Sequence, residues 1–294
     1  MSKPHFQTIG IITKTSDERL VHILKSLIGH LLGHGCRVLL DESARDWLKD
    51  DRGCEAVDLD SLGRQADLAI VVGGDGTFLA AGRAMVEHEV PLLGINIGRL
   101  GFLVDVSPHE MLGRLDEILA GEFDEDYRSL LATRVITNGG EPVERLSMND
   151  VVLHIRDVVR MIEFETRIDG RHVNTQRADG LVVATPTGST AYALSGGGPI
   201  LAPSLDALVL VPICPHGLSN RPLVVHGESE VEIRVCEHNR SHAQAAFDGQ
   251  DSTALGPGDS LIVRRKKTRL RLIHPVGYDY LQILRAKLGW GEQP

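Results

Sequence analysis

Two glycine-rich segments carry the residue types best suited to chemistry. The first, "ADLAIVVGGDGTFLAAG" from Ala66 to Gly82, is an apolar run that enters Gly73-Gly74-Asp75-Gly76-Thr77 and then a helical pattern. Such a loop sits where open α/β proteins bind ligands, outside the carboxyl end of a parallel strand. Its glycines permit close approach and positive φ angles, and the N–H groups that open the following helix attract anions. It is not a Walker loop, since no Lys follows the last glycine, and Leu79 stands where a dinucleotide fingerprint needs its third glycine. A carboxylate beside bound phosphate needs a reason. Asp75 is either the cap of a tight strand-to-helix turn or a participant in the reaction.

The second segment, "RADGLVVATPTGSTAYALSGGGP" from Arg177 to Pro199, is a short apolar strand followed by Thr185, Thr187, Ser189, Thr190, Tyr192 and Ser195 among glycines. Small hydroxyls at this density suit hydrogen bonding to sugar hydroxyls and phosphates. A glycine-rich bend in a β domain accounts for the glycines but not for the hydroxyls. Ser189 lacks the flanking glycines of G-x-S-x-G, which argues against a serine hydrolase.

These loops must be held by regular elements. "TIGIIT" (8–13), "RVLL" (37–40), "DLAIVV" (67–72) and "PLLGIN" (91–96) are apolar without alternation, as parallel strands buried on both faces are. Thr15 and Glu18 make a capping box before a stripe of Leu20, Ile23, Leu24, Leu27, Ile28 and Leu31, which predicts a helix ending before Gly33. Further helices are predicted over 77–87 and from Ser107, the latter with Pro108 at its first position, Glu110 completing a capping box, and Leu112, Leu115 and Leu119 inward. Residues 1–130 therefore read as an open α/β domain with a parallel sheet.

The pattern then changes to alternation. Ile162, Phe164 and Ile168 alternate with charged residues up to a hairpin turn at Asp169-Gly170, and Val231, Ile233 and Val235 repeat the pattern. "SLIVRRKKTRLRLIH" adds further β-branched residues, with Arg264 to Lys267 as a solvated strand face. Residues 131–275 read as a β-sandwich-like domain, and 276–294 as a helix that packs back on the first domain through Leu281, Leu284 and Leu288.

The 294 residues carry a net charge of -9, which argues against general nucleic-acid or membrane-surface binding. Cys36, Cys54, Cys214 and Cys236 form no C-x-x-C pair, and His238 and His242, spaced H-x₃-H without partnering cysteines or an acidic cluster in sequence, read as surface residues, so no metal site is expected. No apolar run approaches the roughly 20 residues that span a bilayer, and a reduced cytoplasmic setting fits best.

"GGDGT" (73–77), "INIGRLGFL" (95–103), "MNDVVLH" (148–154), the segment 179–199, "VPICPHGLSNRPLV" (211–224), "FDGQ" (247–250) and "KLGW" (287–290) together resemble the NAD kinase family in order along nearly the whole chain. GGDGT alone is shared with diacylglycerol and sphingosine kinases, whereas the long TPTGSTAY segment is specific. The resemblance implies transfer of a phosphoryl group from ATP, or from inorganic polyphosphate in some members, to the 2′-hydroxyl of the adenosine ribose of NAD. It implies that Asp75 is the proton acceptor and that Gly73, Gly74, Gly76 and Thr77 shape the phosphate loop. Phe78 falls on a residue near the nucleotide base, its alternative being helix packing. Asn149 and Asp150 match an Asn-acid pair that holds ribose hydroxyls, with a strand-start turn as the alternative. Asp179, Thr187, Thr190, Ala191, Tyr192, Ser195 and Gln250 fall on NAD-contacting positions. Arg160 and Arg177 align with ligand contacts; a surface arginine is the alternative for Arg160, and Arg177 resembles the arginine linked to preference for oxidised NAD. A divalent cation, Mg²⁺ or Mn²⁺, would accompany ATP, and a homodimer or homotetramer is expected. A lipid or sugar kinase with the same loop is disfavoured by the acidic charge and the TPTGSTAY segment. A silent nucleotide sensor is disfavoured by the presence of Asp75.

Overall fold

A computed structural model describes residues 4–14, 18–47, 53–98, 101–156, 161–239 and 242–290. Along the chain lie β1 (Thr8–Ile12), α1 (Glu18–Gly33), β2 (Arg37–Asp41), β3 (Glu55–Val57), α2 (Leu59–Gln65), β4 (Leu68–Gly73), α3 (Asp75–Met85), β5 (Leu92–Asn96), α4 (Met111–Leu119) and β6 (Asp124–Arg128). Next come β7 (Leu131–Ile136), β8 (Val143–Ser147), β9 (Asp150–Ile155), β10 (Ile162–Ile168), β11 (Arg171–Ala178), β12 (Gly180–Ala184) and α5 (Tyr192–Ser195). The chain ends with β13 (Ala207–Ile213), β14 (Leu223–His226), β15 (Val231–Val235), β16 (Ala243–Phe247), β17 (Asp251–Leu255), β18 (Ser260–Arg265), β19 (Leu270–His274) and α6 (Tyr280–Leu288). Residues 1–127 and 270–294 form one unit and 128–269 the other.

The first unit is an open α/β layer whose sheet runs β3-β2-β1-β4-β5-β19-β6, parallel from β3 to β19. The stripe of α1 is buried as the spacing predicts: Leu20, Ile23, Leu24, Leu27, Ile28 and Leu31 all pack in one core cluster with Leu115 and Leu119 of α4. The Thr15 to Glu18 capping box falls partly outside the described residues. Three expectations are corrected. α3 starts at Asp75, two residues early, because β4 runs to Gly73 and leaves a turn of one residue. α4 starts at Met111; Ser107 Oγ donates to Glu110 Oε2 at 2.9 Å, but that pair closes a turn rather than a helix, and Leu112 is 36% exposed. In α6 it is Ile283 and Leu284 that are buried, while Leu281 is 57% exposed, so the inward face is rotated from the one expected.

β19 is the less obvious strand. "LRLIH" continues a β-rich sequence without a break, yet it pairs in parallel with β5 in the first sheet. Only the four residues 266–269 lie between β18 and β19, and nothing in their composition marks the change of partner.

The second unit stacks two six-stranded antiparallel sheets, β11-β10-β15-β18-β7-β8 and β14-β13-β12-β9-β16-β17. Period-two alternation gives each sheet one apolar face, and Phe164, Ile233 and Val263 meet Leu153, Val183 and Phe247 between them. The Asp169-Gly170 hairpin forms as predicted, with both residues at positive φ (50° and 74°), the conformation of a tight primed turn. The outer face of the second sheet is apolar as well: Val152, Val182 and Val211 form one cross-strand row, covered with Ala193 and Leu201. That double burial explains why β12 reads as an unbroken apolar run. Arg265 binds Asp206 and Glu228, and Arg264 binds Glu230, so these residues stabilise the strand face by ion pairing. No helix among the described residues is long and apolar enough to cross a membrane.

Candidate functional site

In the first unit the feature to explain is Asp75. Gly74, at φ −103°, is the helix N-cap, and no side chain caps this end. Asp75 therefore does not play the capping role that the tight-turn reading gave it. Its carboxylate instead accepts hydrogen bonds from the N–H of Phe102 at 2.9 Å and of Leu103 at 3.2 Å. The loop is shaped around it: a Cβ on Gly101 would lie 1.9 Å from Asp75 Oδ1. "INIGRLGFL" is thus the cradle of the GGDGT acid, and its Gly101 is needed for close approach. Arg99 and Leu100 of this segment lie outside the described residues. Neither Gly73 nor Gly74 adopts a positive φ. Gly73 is instead required by room, because a Cβ there would meet Thr77 Oγ1 at 2.8 Å. Phe78 is 1% exposed, the place of a core residue as the helix-packing alternative has it.

In the second unit a cavity of about 590 Å³ opens on the outer face of the second sheet. Its floor follows from the strand register, which aligns His154 with Gly180 and Ile213, and Val152 with Ala246. Gly180 admits no side chain, since a Cβ would lie 2.1 Å from Leu153 O. Asn149, Asp150, Asp179, Ala191 and Tyr192 all line this cavity, so one space gathers five of the residues picked from sequence. Thr187, Thr190, Ser195, Gln250, Phe78 and Arg177 are not part of its lining. Ser195 and Gln250 are exposed nonetheless, and Arg177 Nε lies 4.0 Å from Glu163 on the other sheet. Arg160 lies outside the described residues.

The hydroxyls of the TPTGST segment have a different use from the one expected. Thr185 Oγ1 donates to Met148 O at 2.7 Å and accepts from Gly188 N–H at 3.1 Å. Ser189 Oγ donates to Pro186 O at 2.6 Å and accepts from Leu201 N–H at 2.9 Å. Thr190 donates to Thr187 O at 3.1 Å, and Thr187 Oγ1 accepts from the buried Arg128 at 3.3 Å. Four of the six hydroxyls therefore satisfy buried backbone or a buried guanidinium. They build the turn that presents Ala191 and Tyr192; of the six, Tyr192 and Ser195 are the exposed ones.

Sequence reasoning missed Asp248, which also lines the cavity. Its carboxylate accepts from three consecutive backbone N–H groups, Met148 at 3.0 Å, Asn149 at 2.7 Å and Asp150 at 3.2 Å, and its own N–H donates to Asp150 O at 3.0 Å. This clamp fixes the Asn149-Asp150 corner from which β9 departs. Asp248 adopts φ 51°, and the "FDGQ" segment was the available signal, an Asp-Gly pair in a tight turn.

Asp150 is 4% exposed, and burial, reinforced by the nearby Asp248 charge, pushes its carboxyl up to about 7 against the ordinary 3.8. Between those values the folded chain holds a proton that the unfolded chain has released, so stability falls as pH rises through that window and levels off above about 7. The expected result is that the melting temperature of the wild type, taken relative to that of Asp150→Asn, falls between pH 5 and about 7 and is flat above it. Parallel curves for the two proteins would contradict this.

Residues 9–123 match the family model of the ATP-NAD kinase N-terminal domain, and 148–275 that of the ATP-NAD kinase C-terminal domain. The chain is 48% identical over 293 residues to the NAD kinase of Nitrosococcus oceani, covering 100% of this chain and 99% of that one. It is 45% identical over 291 residues to the NAD kinase of Cellvibrio japonicus, covering 98% and 97%. Among solved structures, yeast NADH kinase complexed with NADH superposes with a TM-score of 0.89 at 24% identity, covering 99% of this chain and 89% of that one. An NAD kinase from Archaeoglobus fulgidus in complex with ATP gives 0.71 at 25% identity, covering 96% and 98%.

Proposed function

The chain belongs to the ATP-NAD kinase family and phosphorylates NAD with ATP to give NADP; we propose that the acceptor is the adenosine 2′-hydroxyl and that Asp75 takes its proton. The observation that carries the reading of the acceptor site is the convergence of Asn149, Asp150, Asp179, Ala191 and Tyr192 on one cavity of about 590 Å³, a size suited to a nucleotide. An amide and two carboxyl groups there hydrogen-bond to ribose hydroxyls, while Val152 and Ile213 supply apolar floor for a flat ring. Arg177 contributes preference for oxidised NAD.

Asp75 has the form of a positioned base. Two backbone N–H groups orient the carboxylate, and the remaining lone pairs are available to a hydroxyl as it attacks phosphorus. The rest of the rate enhancement comes from holding the phosphoryl donor in line and neutralising its charge. A divalent cation is proposed to arrive with the nucleotide, held mainly by phosphate oxygens. Among the described residues the one cluster of three potential ligands is His30, His34 and Asp116, whose imidazoles do not suit Mg²⁺. We place the enzyme in the cytoplasm and read it as a homo-oligomer, the oligomer being supported by the exposure of Leu218, Leu223 and Val224 on the β unit.

The test is direct. Purified protein with ATP, Mg²⁺ and NAD is expected to form NADP, with lower turnover when inorganic polyphosphate replaces ATP or NADH replaces NAD. A folded, NAD-binding wild type that forms no NADP would refute the assignment.

A further inference from the structure

We propose that His30, His34 and Asp116 form a binding site for one divalent transition-metal ion of the zinc class, tying the end of α1 to α4. His30 lies in the last turn of α1 and His34 follows four residues later, so both imidazoles project from one face. Their Nε2 atoms lie 2.8 and 2.9 Å from the same oxygen, Asp116 Oδ1, and all three ligand atoms fall within 4.8 Å of one another. Around a tetrahedral ion with bonds of about 2.0–2.1 Å, ligand atoms stand roughly 3.3 Å apart. With the three ligand atoms no more than 4.8 Å apart, side-chain movement on the order of 1 Å would admit the ion.

Three further features favour a metal over a plain hydrogen-bonded trio. The helices are already locked together below the site, since Leu27 and Leu31 share a core cluster with Leu115 and Leu119, so little order is lost on binding. The carbonyl end of α1 carries partial negative charge that attracts a cation. His34 and Asp116 are 40% and 52% exposed on their side chains, which leaves an open side for water as a fourth ligand. Two neutral imidazoles and one carboxylate select Zn²⁺, Co²⁺ or Ni²⁺ over Mg²⁺, which prefers oxygen. The trio escapes sequence inspection because Asp116 lies 86 residues beyond His30.

The experiment is calorimetric titration of untagged, full-length protein with Zn²⁺ in excess Mg²⁺, with Co²⁺ absorption as a second probe. One ion per chain is expected, with intense visible bands for Co²⁺. His34→Asn and Asp116→Asn should each weaken binding about tenfold or more, and the His30→Asn/His34→Asn pair should remove it. NADP formation with Mg²⁺ and the thermal midpoint in chelator should be unchanged in His34→Asn, a substitution at a half-exposed position. A wild type with no saturable site, or variants that bind as tightly as it does, would overturn the proposal.

Discussion

Asp75→Asn is expected to lower kcat for NADP formation by roughly 10²–10⁴-fold, the range for losing a positioned general base, with KM for NAD and for ATP nearly unchanged. The amide keeps the size of the side chain but cannot take a proton. It also disturbs the cradle, because one of the N–H groups of Phe102 and Leu103 would then face an NH₂ instead of an oxygen. Leaving one buried donor unmet costs about 1–3 kcal/mol, which is measurable as a lower melting temperature and does not by itself abolish turnover. A companion variant separates the two effects. In Gly101→Ala the carboxylate is intact, but the added methyl would sit 1.9 Å from Asp75 Oδ1 and must displace it. If proton acceptance is the role of Asp75, kcat in the asparagine variant stays low at every pH. The alanine variant should retain a pH-dependent rate with a smaller loss. An asparagine variant that keeps more than about half of wild-type kcat would rule out the base.

That experiment depends on a contact no sequence pattern displays, and the same holds for much of the site. Period and composition located the elements well: the stripe of α1, the apolar runs of the parallel strands and the Asp169-Gly170 hairpin are local signals, and each formed where its spacing puts it. Boundaries fared worse where two local rules compete. Ser107 and Glu110 meet as a capping box would, yet the chain turns for three more residues before α4 begins. β19 has the same texture as β18 and differs in its partner, a choice made by tertiary packing.

For the site, the identity of the glycine-rich segments was legible but the division of labour within them was not. Thr185 and Ser189 look like ligand donors in sequence, because a hydroxyl carries no mark of whether its partner is a ligand or a buried carbonyl. In the fold both are 0% exposed and fully used by backbone. Asp248 had the reverse fate: an acid in a turn drew no attention, although it binds three amides 98 to 100 residues away. Residues that organise a site from a distance leave a signal only once the strands are paired.

Gly188→Ala should give the second large effect, acting on NAD and not on ATP. A Cβ at this position would lie 2.1 Å from Asn149 O and 2.4 Å from its carbonyl carbon, both backbone atoms that cannot rotate away. The turn is also latched to that carbonyl by Thr185 N–H at 2.9 Å and to Met148 O by Thr185 Oγ1 at 2.7 Å. Neither side can yield alone, so the methyl must push the Asn149-Asp150 corner out of the clamp made by Asp248. Overpacking of this kind costs about 1–3 kcal/mol, with more expected against a fixed backbone. The predicted outcome is a lower melting temperature together with a KM for NAD raised by about tenfold or more, at little-changed KM for ATP, since about 1.4 kcal/mol of lost alignment is a factor of ten. Thr185→Ala gives a milder version that is expected to fold, loosening the same latch by removing one hydroxyl from two buried partners. If both variants lose stability while NAD affinity holds, the corner is merely structural and the cavity is not where the ribose is read.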